Sequence, residues 1–191
     1  MTKTLSLLTA GLLAALVTAG SAAAQTVKLQ TTEGDIRIEL NAEKAPRTVA
    51  NFLQYVKSGH YNGVLFHRVI DTFMIQTGGY DAKLNQRPTK APIPLESHNG
   101  LSNVRGSVAM ARTDHPHSAT SQFFINVADN VRLDGDPENP ASGYAVFGQV
   151  VEGMDVVDKI RAVETTSSGI QQNLPVKPIF ITKAVIEPAK K

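Results

Sequence analysis

The 191-residue chain contains no cysteine, and this absence removes several classes of chemistry. Disulfide bonds, thiolate metal ligands and a cysteine nucleophile are all excluded. The lipid-modified cysteine that anchors bacterial lipoproteins is excluded as well. A protein without disulfides depends on its hydrophobic core for stability, and a hydrophobic content of 42% is ordinary for a globular protein with such a core.

The chain also lacks a strong excess of charge of either sign. It has 19 Lys and Arg against 17 Asp and Glu, a formal net charge of +2. Nucleic-acid binding and electrostatic binding to a membrane surface both favour a larger positive excess. We therefore expect neither as a partner, and the length favours one domain.

Long apolar runs are missing except at the N-terminus, where residues 5–17 are almost entirely apolar. Lys3 precedes this run, and an Ala-x-Ala pattern of the kind that signal peptidase cleaves follows it. We predict a signal peptide over residues 1–24 and a single domain over residues 25–191. A membrane anchor is the alternative, but the run is shorter than the about 20 residues that span a bilayer. Export without disulfides indicates the bacterial periplasm, with no membrane attachment after cleavage.

Hydrophobic periodicity predicts many short strands and two helices. Val49, Phe52, Leu53 and Val56 follow the i, i+3, i+4, i+7 spacing of a helix, and a shorter helix is predicted over 154–160. Strands are predicted over 27–31, 36–40, 64–69, 73–77, 106–110, 122–127, 144–150 and 179–186. Polar, proline-bearing loops are predicted over 81–100 and 135–142. This pattern favours a closed, mostly antiparallel barrel capped by helices, with a filled interior and any site on the outer wall.

Two phrases mix fixed polar groups with large apolar side chains: FHRVIDTFMIQ at 66–76 and SQFF at 121–124. Residues i and i+2 share a face of a strand, so Met74 lies beside Gln76 and Gln122 lies beside Phe124. Such a surface suits an apolar ring with amide groups next to it. It offers no nucleophile and no obvious proton shuttle, so it is a candidate for binding and deforming a peptide bond.

Other chemistry is weakly supported. His115 and His117, with Asp114, have poor spacing for a metal site, and no third ligand cluster is evident. Ser118 and Ser121 lack the Gly-x-Ser-x-Gly elbow of many hydrolases. We therefore predict neither a metal nor a cofactor.

The phrase at 66–76, followed in order by 121–125 and 146–148, resembles the signature of the cyclophilins, which are peptidyl-prolyl cis–trans isomerases. The resemblance covers nearly all of the chain after residue 24, and the leader and short loops are similar to the exported bacterial branch. It implies an eight-stranded antiparallel barrel closed by two helices, with a groove on the outer face. It also implies proline-containing polypeptides as partners, and we expect a monomer.

The resemblance assigns Arg68 as the catalytic residue, with Gln76 supporting its guanidinium group. The positions implied to contact substrate are Phe73, Met74, Phe124 and Leu133 in a proline pocket, with Gln122, Ala111, Arg112, Tyr144 and His67 around it. Alternation places Phe73 and Met74 on opposite faces unless the strand begins between them. The large apolar residues assigned to the barrel interior are Phe66, Ile75, Phe123 and Phe147.

The chain departs from the family pattern near the implied site. Arg132 stands where eukaryotic members have Trp and many bacterial members have Phe, a residue that helps hold the drug cyclosporin. The resemblance therefore implies weak cyclosporin binding with isomerase activity kept. Arg112 stands where many members carry Asn, Tyr144 where many carry His, and Asp71-Thr72 where Pro-Gly or Asn-Gly is usual.

Two alternatives to an isomerase of exported proteins remain open. A barrel of this kind could hold proline-containing segments as a chaperone or assembly module with little catalysis. It could also bind a small ligand, which would require a hollow interior.

Overall fold

The computed structural model describes residues 25–169 and 171–188, so the predicted signal peptide lies outside the described residues. The fold is mainly β with two α-helices, as predicted. The strands are β1 Thr26–Thr31, β2 Gly34–Leu40, β3 Val64–Leu65, β4 Arg68–Ile70, β5 Met74–Thr77, β6 Ser107–Met110, β7 Phe123–Asn126, β8 Val146–Glu152, β9 Thr165–Ser168, β10 Gln171–Pro175 and β11 Phe180–Glu187. The α-helices are α1 Pro46–Lys57 and α2 Met154–Arg161, and a 3-10 helix spans Val131–Leu133.

Nine strands form one antiparallel sheet in the order β3-β11-β1-β2-β8-β6-β7-β5-β4. The sheet curls into a half-barrel, and its edge strands β3 and β4 do not pair with each other. The predicted closed barrel of eight strands is therefore wrong. Strands β9 and β10, which the sequence patterns did not reveal, form a separate two-stranded sheet of mostly polar residues.

The error comes from residues 64–69, which were predicted to form one strand. The backbone N–H of Phe66 donates to the Ile179 carbonyl at 2.9 Å, whereas the N–H of His67 donates to the Gln76 carbonyl at 3.1 Å. Consecutive residues thus bond to segments at opposite edges of the sheet. The run is split into β3, which pairs with β11, and β4, which pairs with β5.

The interior of the half-barrel is filled by aromatic and branched side chains. Phe52 of α1 is fully buried, and its ring centroid lies 5.1 to 5.3 Å from those of Tyr61, Phe123 and Phe147. The interior positions assigned from sequence are confirmed, since Phe66, Ile75, Phe123 and Phe147 all belong to this core. Burying each such side chain contributes about 1.5–3 kcal/mol, and the packed rings leave no room for the hollow interior of a small-ligand barrel.

Helix α1 follows its sequence signals closely. Pro46 occupies the first turn, where a missing N–H costs nothing, and the apolar stripe packs into the core. Gly59 just beyond the helix has φ of +70°, a left-handed conformation that favours glycine. Neither described helix is long and apolar enough to pass through a bilayer.

Candidate active site

A second, smaller apolar cluster lies on the outer face of the sheet. Its four buried members, Met74, Ala109, Phe124 and Val146, come from four neighbouring strands, β5, β6, β7 and β8. Within the strands the residues next to them belong to the main core, as the two-residue period of a strand requires: Ile75, Val108, Met110, Phe123, Ile125 and Phe147. Partly buried apolar residues pack against this floor, and we call the floor and these residues together the notch: Ile70, Phe73, Leu101, Ala111, Leu133 and Tyr144.

The pocket residues predicted from sequence all belong to this cluster. Phe73 contacts the cluster together with its neighbour Met74. This is possible because β5 begins at Met74, so the alternation of side chains along the strand does not apply to Phe73. The Phe73 N–H donates to the Ile70 carbonyl at 2.9 Å, and this tight turn holds the ring against the cluster. Sequence patterns missed Ala109 and Val146, whose positions follow only from the strand register, in which Ala109 lies opposite both Phe124 and Val146.

One wall of the notch is formed by residues far apart in the chain. The Tyr144 ring packs edge-on against Phe124, with centroids 5.7 Å apart and planes at 78°. The Tyr144 N–H donates to the Leu133 carbonyl at 2.9 Å, so the 3-10 helix and the segment before β8 hold each other. Edge-to-face pairs of this kind add about 0.5–1.5 kcal/mol to simple burial.

A row of polar side chains runs beside the apolar floor. Arg68 of β4 lies directly opposite Gln76 of β5, and Gln76 lies opposite Phe124 of β7. Side chains of directly opposed residues share one face, so Arg68 projects to the same side as Phe124 and Met74. Among the described residues, Arg68 forms no ion pair, so its guanidinium group is available to a ligand.

The two glutamines of this row are hydrogen-bonded to each other. Gln76 Nε2 donates to Gln122 Oε1 at 2.8 Å, which leaves Gln76 Oε1 as an acceptor for another group. A glycine makes room for the pair, because a Cβ at position 79 would lie 2.7 Å from Gln122 Nε2. The Gln122 carbonyl in turn accepts the Ala111 N–H at 3.0 Å, which fixes the edge of the notch.

Arg112 is engaged by backbone carbonyls. Its Nε donates to Gly143 at 2.9 Å, and its Nη atoms donate to Thr113 at 3.0 Å and Ala141 at 3.3 Å. Its guanidinium carbon also lies 5.0 Å from the centroid of the Tyr144 ring. Arg112 thus fastens the loop before β8 to the rim of the notch, and the predicted contact with substrate stays a prediction.

His67 lies beneath the rim, because its residue is only 3% exposed. Its ring packs at 4.7 Å from that of Tyr80, and its Nδ1 has no hydrogen-bond partner among the described residues. Burial lowers the pKa of His67 to about 4, so the ring is neutral near pH 7. These observations favour a packing role, and its contact with substrate stays a prediction.

The weaker candidates for other chemistry are occupied elsewhere. His117 Nδ1 accepts the Leu95 N–H at 3.1 Å, and the Ser118 hydroxyl donates to the His115 carbonyl at 2.6 Å. The buried Ser121 hydroxyl donates to the Gly78 carbonyl at 2.8 Å. Residues 25–169 and 171–188 contain no group of three or more side chains arranged to hold a metal ion.

Comparison with known proteins bears on the whole of this fold. Residues 26–186 match the model of the family described as cyclophilin type peptidyl-prolyl cis-trans isomerase/CLD. A peptidyl-prolyl cis-trans isomerase of Streptomyces antibioticus is 56% identical over 162 residues, which is 84% of this chain and 98% of the relative. A peptidyl-prolyl cis-trans isomerase of Acinetobacter baylyi is 49% identical over 187 residues, 98% of this chain and 97% of the relative. Peptidyl-prolyl cis-trans isomerase B of Escherichia coli is 51% identical over 161 residues, 84% of this chain and 98% of the relative.

A solved structure agrees with these sequence relatives. The cyclophilin type peptidyl-prolyl cis-trans isomerase of Cryptosporidium parvum, crystallised in the presence of the dipeptide Ala-Pro, has a TM-score of 0.71 and 26% identity. The match covers 86% of this chain and 99% of that one. Both the sequence and the fold, including the strands that carry the notch, are thus those of one family. The chain belongs to the cyclophilin-type peptidyl-prolyl cis-trans isomerases.

Proposed function

We propose that this protein accelerates the rotation of X–Pro bonds in exported polypeptides and so assists their folding, with Arg68 and the apolar notch as its working parts. Relatives named peptidyl-prolyl cis-trans isomerases, about half identical over almost their full length, support the activity. The related structure with the dipeptide Ala-Pro supports proline-containing peptides as the substrate class. The predicted signal peptide supports action in the periplasm.

The reaction sets a modest chemical requirement. The X–Pro bond resists rotation because the nitrogen lone pair is delocalised into the carbonyl, with a barrier of about 18–20 kcal/mol. Uncatalysed exchange takes on the order of 10–100 s. No bond is made or broken, so a catalyst has only to bind the twisted state more tightly than the planar one.

Arg68 fits the central role in this scheme. In the twisted state the lone pair returns to the proline nitrogen, and a fixed N–H donor beside that nitrogen stabilises it. A guanidinium group stays charged and presents a rigid fork of donors. Gln76 would hold that fork in place, because its own amide is fixed by the hydrogen bond to Gln122.

The apolar notch has the complementary task of holding the proline ring. Met74 and Phe124 form a floor that is 1% and 4% exposed, and Phe73, Leu133 and Tyr144 rise around it. With the ring held, the residue before proline is free to swing. Excluding water also strengthens the hydrogen bond from the guanidinium group, since the local dielectric constant falls.

One observation carries this proposal. Arg68 and the Met74–Phe124 floor share one face of three adjacent strands, and the Gln76–Gln122 pair lies beside them, although Arg68 and Phe124 are more than fifty positions apart in the chain. A module that only binds proline-containing segments has no need for a supported guanidinium group beside its pocket.

The test is a cis–trans exchange assay on a short peptide with a neutral Ala-Pro bond, using the chain without residues 1–24. We expect exchange that is first order in enzyme and far faster than the uncatalysed reaction, and we expect Arg68→Ala to lose most of it. Background-level exchange in both proteins, with the peptide still bound, would instead identify a binding module. For the location, cell fractionation of the bacterial host should recover the shortened protein in the periplasm, and retention of the full-length chain in the cytoplasm would refute export.

A further inference from the structure

A second guanidinium group stands at the opposite end of the notch from Arg68. Arg132, in the 3-10 helix, is exposed and lies with its Cζ 4.8 Å from the centroid of the Phe73 ring. Its neighbour Leu133 packs into the apolar cluster, so Arg132 is carried directly to the rim. A cation over an aromatic face is held there by about 0.5–1 kcal/mol at an exposed site.

Asp71, two residues before Phe73, does not neutralise this charge. The Asp71 carboxylate forms an ion pair with Arg161 of α2 at 2.7 Å. The same Arg161 donates to Asp158 at 2.8 Å, so Asp71 is drawn away from the notch and towards the helix.

The acidic residues on either side of Arg132 are engaged as well. Asp134 accepts hydrogen bonds from Ser102 and from both the backbone and the side chain of Asn103, and these bonds lower its pKa against the effect of partial burial. Asp129 accepts the backbone N–H of Arg105 at 2.8 Å. Within the described part of the chain, Arg132 therefore has no carboxylate partner.

The notch is thus flanked by two guanidinium groups without carboxylate partners. Arg68 lies at the Gln76 end of β5, and Arg132 lies over Phe73 at the other end. Charges of one sign around a low-dielectric cleft focus the electric field in it and attract ligands of the opposite sign.

We propose that Arg132 makes the site selective for proline-containing segments with an acidic residue, Asp or Glu, next to the proline. This inference rests on the proposed isomerase function and names the substrate class of the same site. The carboxylate of the substrate would pair with the free guanidinium group while the proline ring lies on the Met74–Phe124 floor. Arg132 then acts on specificity, whereas Arg68 acts on the rotation itself.

The experiment compares matched peptides that differ only in the residue next to proline. Glu, Gln and Lys are placed in turn before the proline and, in a second series, after it, and kcat/KM is corrected for the uncatalysed rate of each peptide. At low ionic strength we expect Glu to exceed Gln by about two- to fivefold in at least one series, which is the range of an exposed ion pair. Lys should fall below Gln. In about 1 M salt the ratio should approach one, because the Debye length shrinks to about 3 Å.

Three variants assign the effect to one side chain. Arg132→Gln should bring the Glu-to-Gln ratio close to one, and Arg132→Lys should keep most of the ratio because the charge remains. Lys183→Gln, on β11 far along the sheet, removes the same unit of charge and should leave the ratio unchanged. The ratio compares two peptides on one protein, so a general loss of activity in a variant does not alter it.

Two results would overturn the inference while leaving the isomerase intact: equal rates on Glu and Gln peptides in both series, or a preference that survives Arg132→Gln. Absence of catalysis on the neutral Gln peptides would instead remove the proposed function itself. The two failures are therefore distinguishable.

Discussion

Gln76 of β5 and Gln122, which directly precedes β7, are joined by a hydrogen bond of 2.8 Å from Nε2 to Oε1, although they are 46 positions apart in the chain. The bond ties the side chain that faces Arg68 to the strand that supplies Phe124. The hydrogen bond therefore links the polar row to the apolar floor. We expect the two glutamines to act as one unit that supports Arg68.

This unit predicts non-additive effects on activity. Gln76→Ala and Gln122→Ala should each lower kcat/KM by about fivefold, since a net hydrogen bond is worth about 1 kcal/mol. The double variant should be little worse than either single one, because both lose the same support of Arg68. Steady-state kinetics on a neutral Ala-Pro peptide measure the cycle, with exposed Gln54→Ala of α1 as the control. Fully multiplicative effects would show that the two side chains act separately.

Arg68 should make the largest single contribution to lowering the activation free energy of X–Pro rotation. Losing a preorganised donor costs about 2.7–4 kcal/mol in other enzymes, so Arg68→Ala should lower kcat/KM by about 10²–10³. Arg68→Lys should also be poor, because a point charge lacks the rigid fork of the guanidinium group. Arg47→Ala, at an exposed position of α1, is the matched control for loss of an arginine. An Arg68→Ala protein with near-normal activity and an intact fold would exclude Arg68 from the mechanism.

Arg112 is predicted to position the wall of the notch through the loop before β8. Removing its guanidinium group frees the carbonyls of Ala141 and Gly143 and the face of Tyr144. Arg112→Ala should therefore raise KM more than it lowers kcat, by a few fold. The amides of residues 141–144 should exchange hydrogen faster, because local opening becomes easier. Arg112→Lys should give KM and exchange rates between those of the wild type and Arg112→Ala. Unchanged hydrogen exchange at residues 141–144 in Arg112→Ala would refute the positioning role.

Burial of His67 predicts a loss of stability at mildly acidic pH. Its pKa is about 4 in the folded protein and about 6.5 in the unfolded chain, so between these values only the unfolded state binds the proton. The contribution of neutral His67 to the free energy of unfolding is therefore fully present above pH 6.5. It is lost as the pH falls towards 4, and the total loss is about 3 kcal/mol.

Denaturant unfolding of the wild type and His67→Gln between pH 7.5 and 4.5 measures this term. The carboxylates and His60, whose pKa is also lowered by burial, titrate equally in both proteins, so the difference in slope isolates His67. Parallel pH profiles for the two proteins would mean that His67 takes up its proton equally well in the folded state.

The arginine at position 132 predicts that cyclosporin inhibits this protein weakly. The aromatic ring that many cyclophilins have at this position is missing. Arg132→Phe should restore a flat apolar surface beside Phe73 and lower the inhibition constant by an order of magnitude or more. Inhibition is read in the exchange assay on a neutral peptide. Nanomolar inhibition of the unaltered protein would contradict the prediction.

Much of the local structure was predictable because local signals decide it. The stripe from Val49 to Val56 predicted α1, and the alternation of residues 27–40 predicted the two strands that the structure pairs as β1 and β2. Prediction failed at residues 64–69. One apolar run serves two edges of the sheet there, and only the hydrogen-bond partners of Phe66 and His67 reveal the break.

The site shows the same division. Met74, Phe124 and Leu133 could be named from motifs, yet Ala109 and Val146 could not, because small or common apolar residues become part of a pocket only through strand register. Arg112 and Arg132 look alike in the sequence. In the structure Arg112 donates hydrogen bonds to backbone carbonyls, whereas Arg132 lies over the Phe73 ring without a carboxylate partner among the described residues.

The order of residues along this chain thus determined most of the strands, both α-helices, the apolar and polar faces and the family to which the protein belongs. The tertiary structure alone decided that the sheet stays open, which arginines remain available, and which side chains from four strands meet at one notch. The physical reason is range. Helix and strand periodicity depends on neighbours a few residues away, whereas pairing, burial and charge at the notch depend on contacts between segments tens of residues apart.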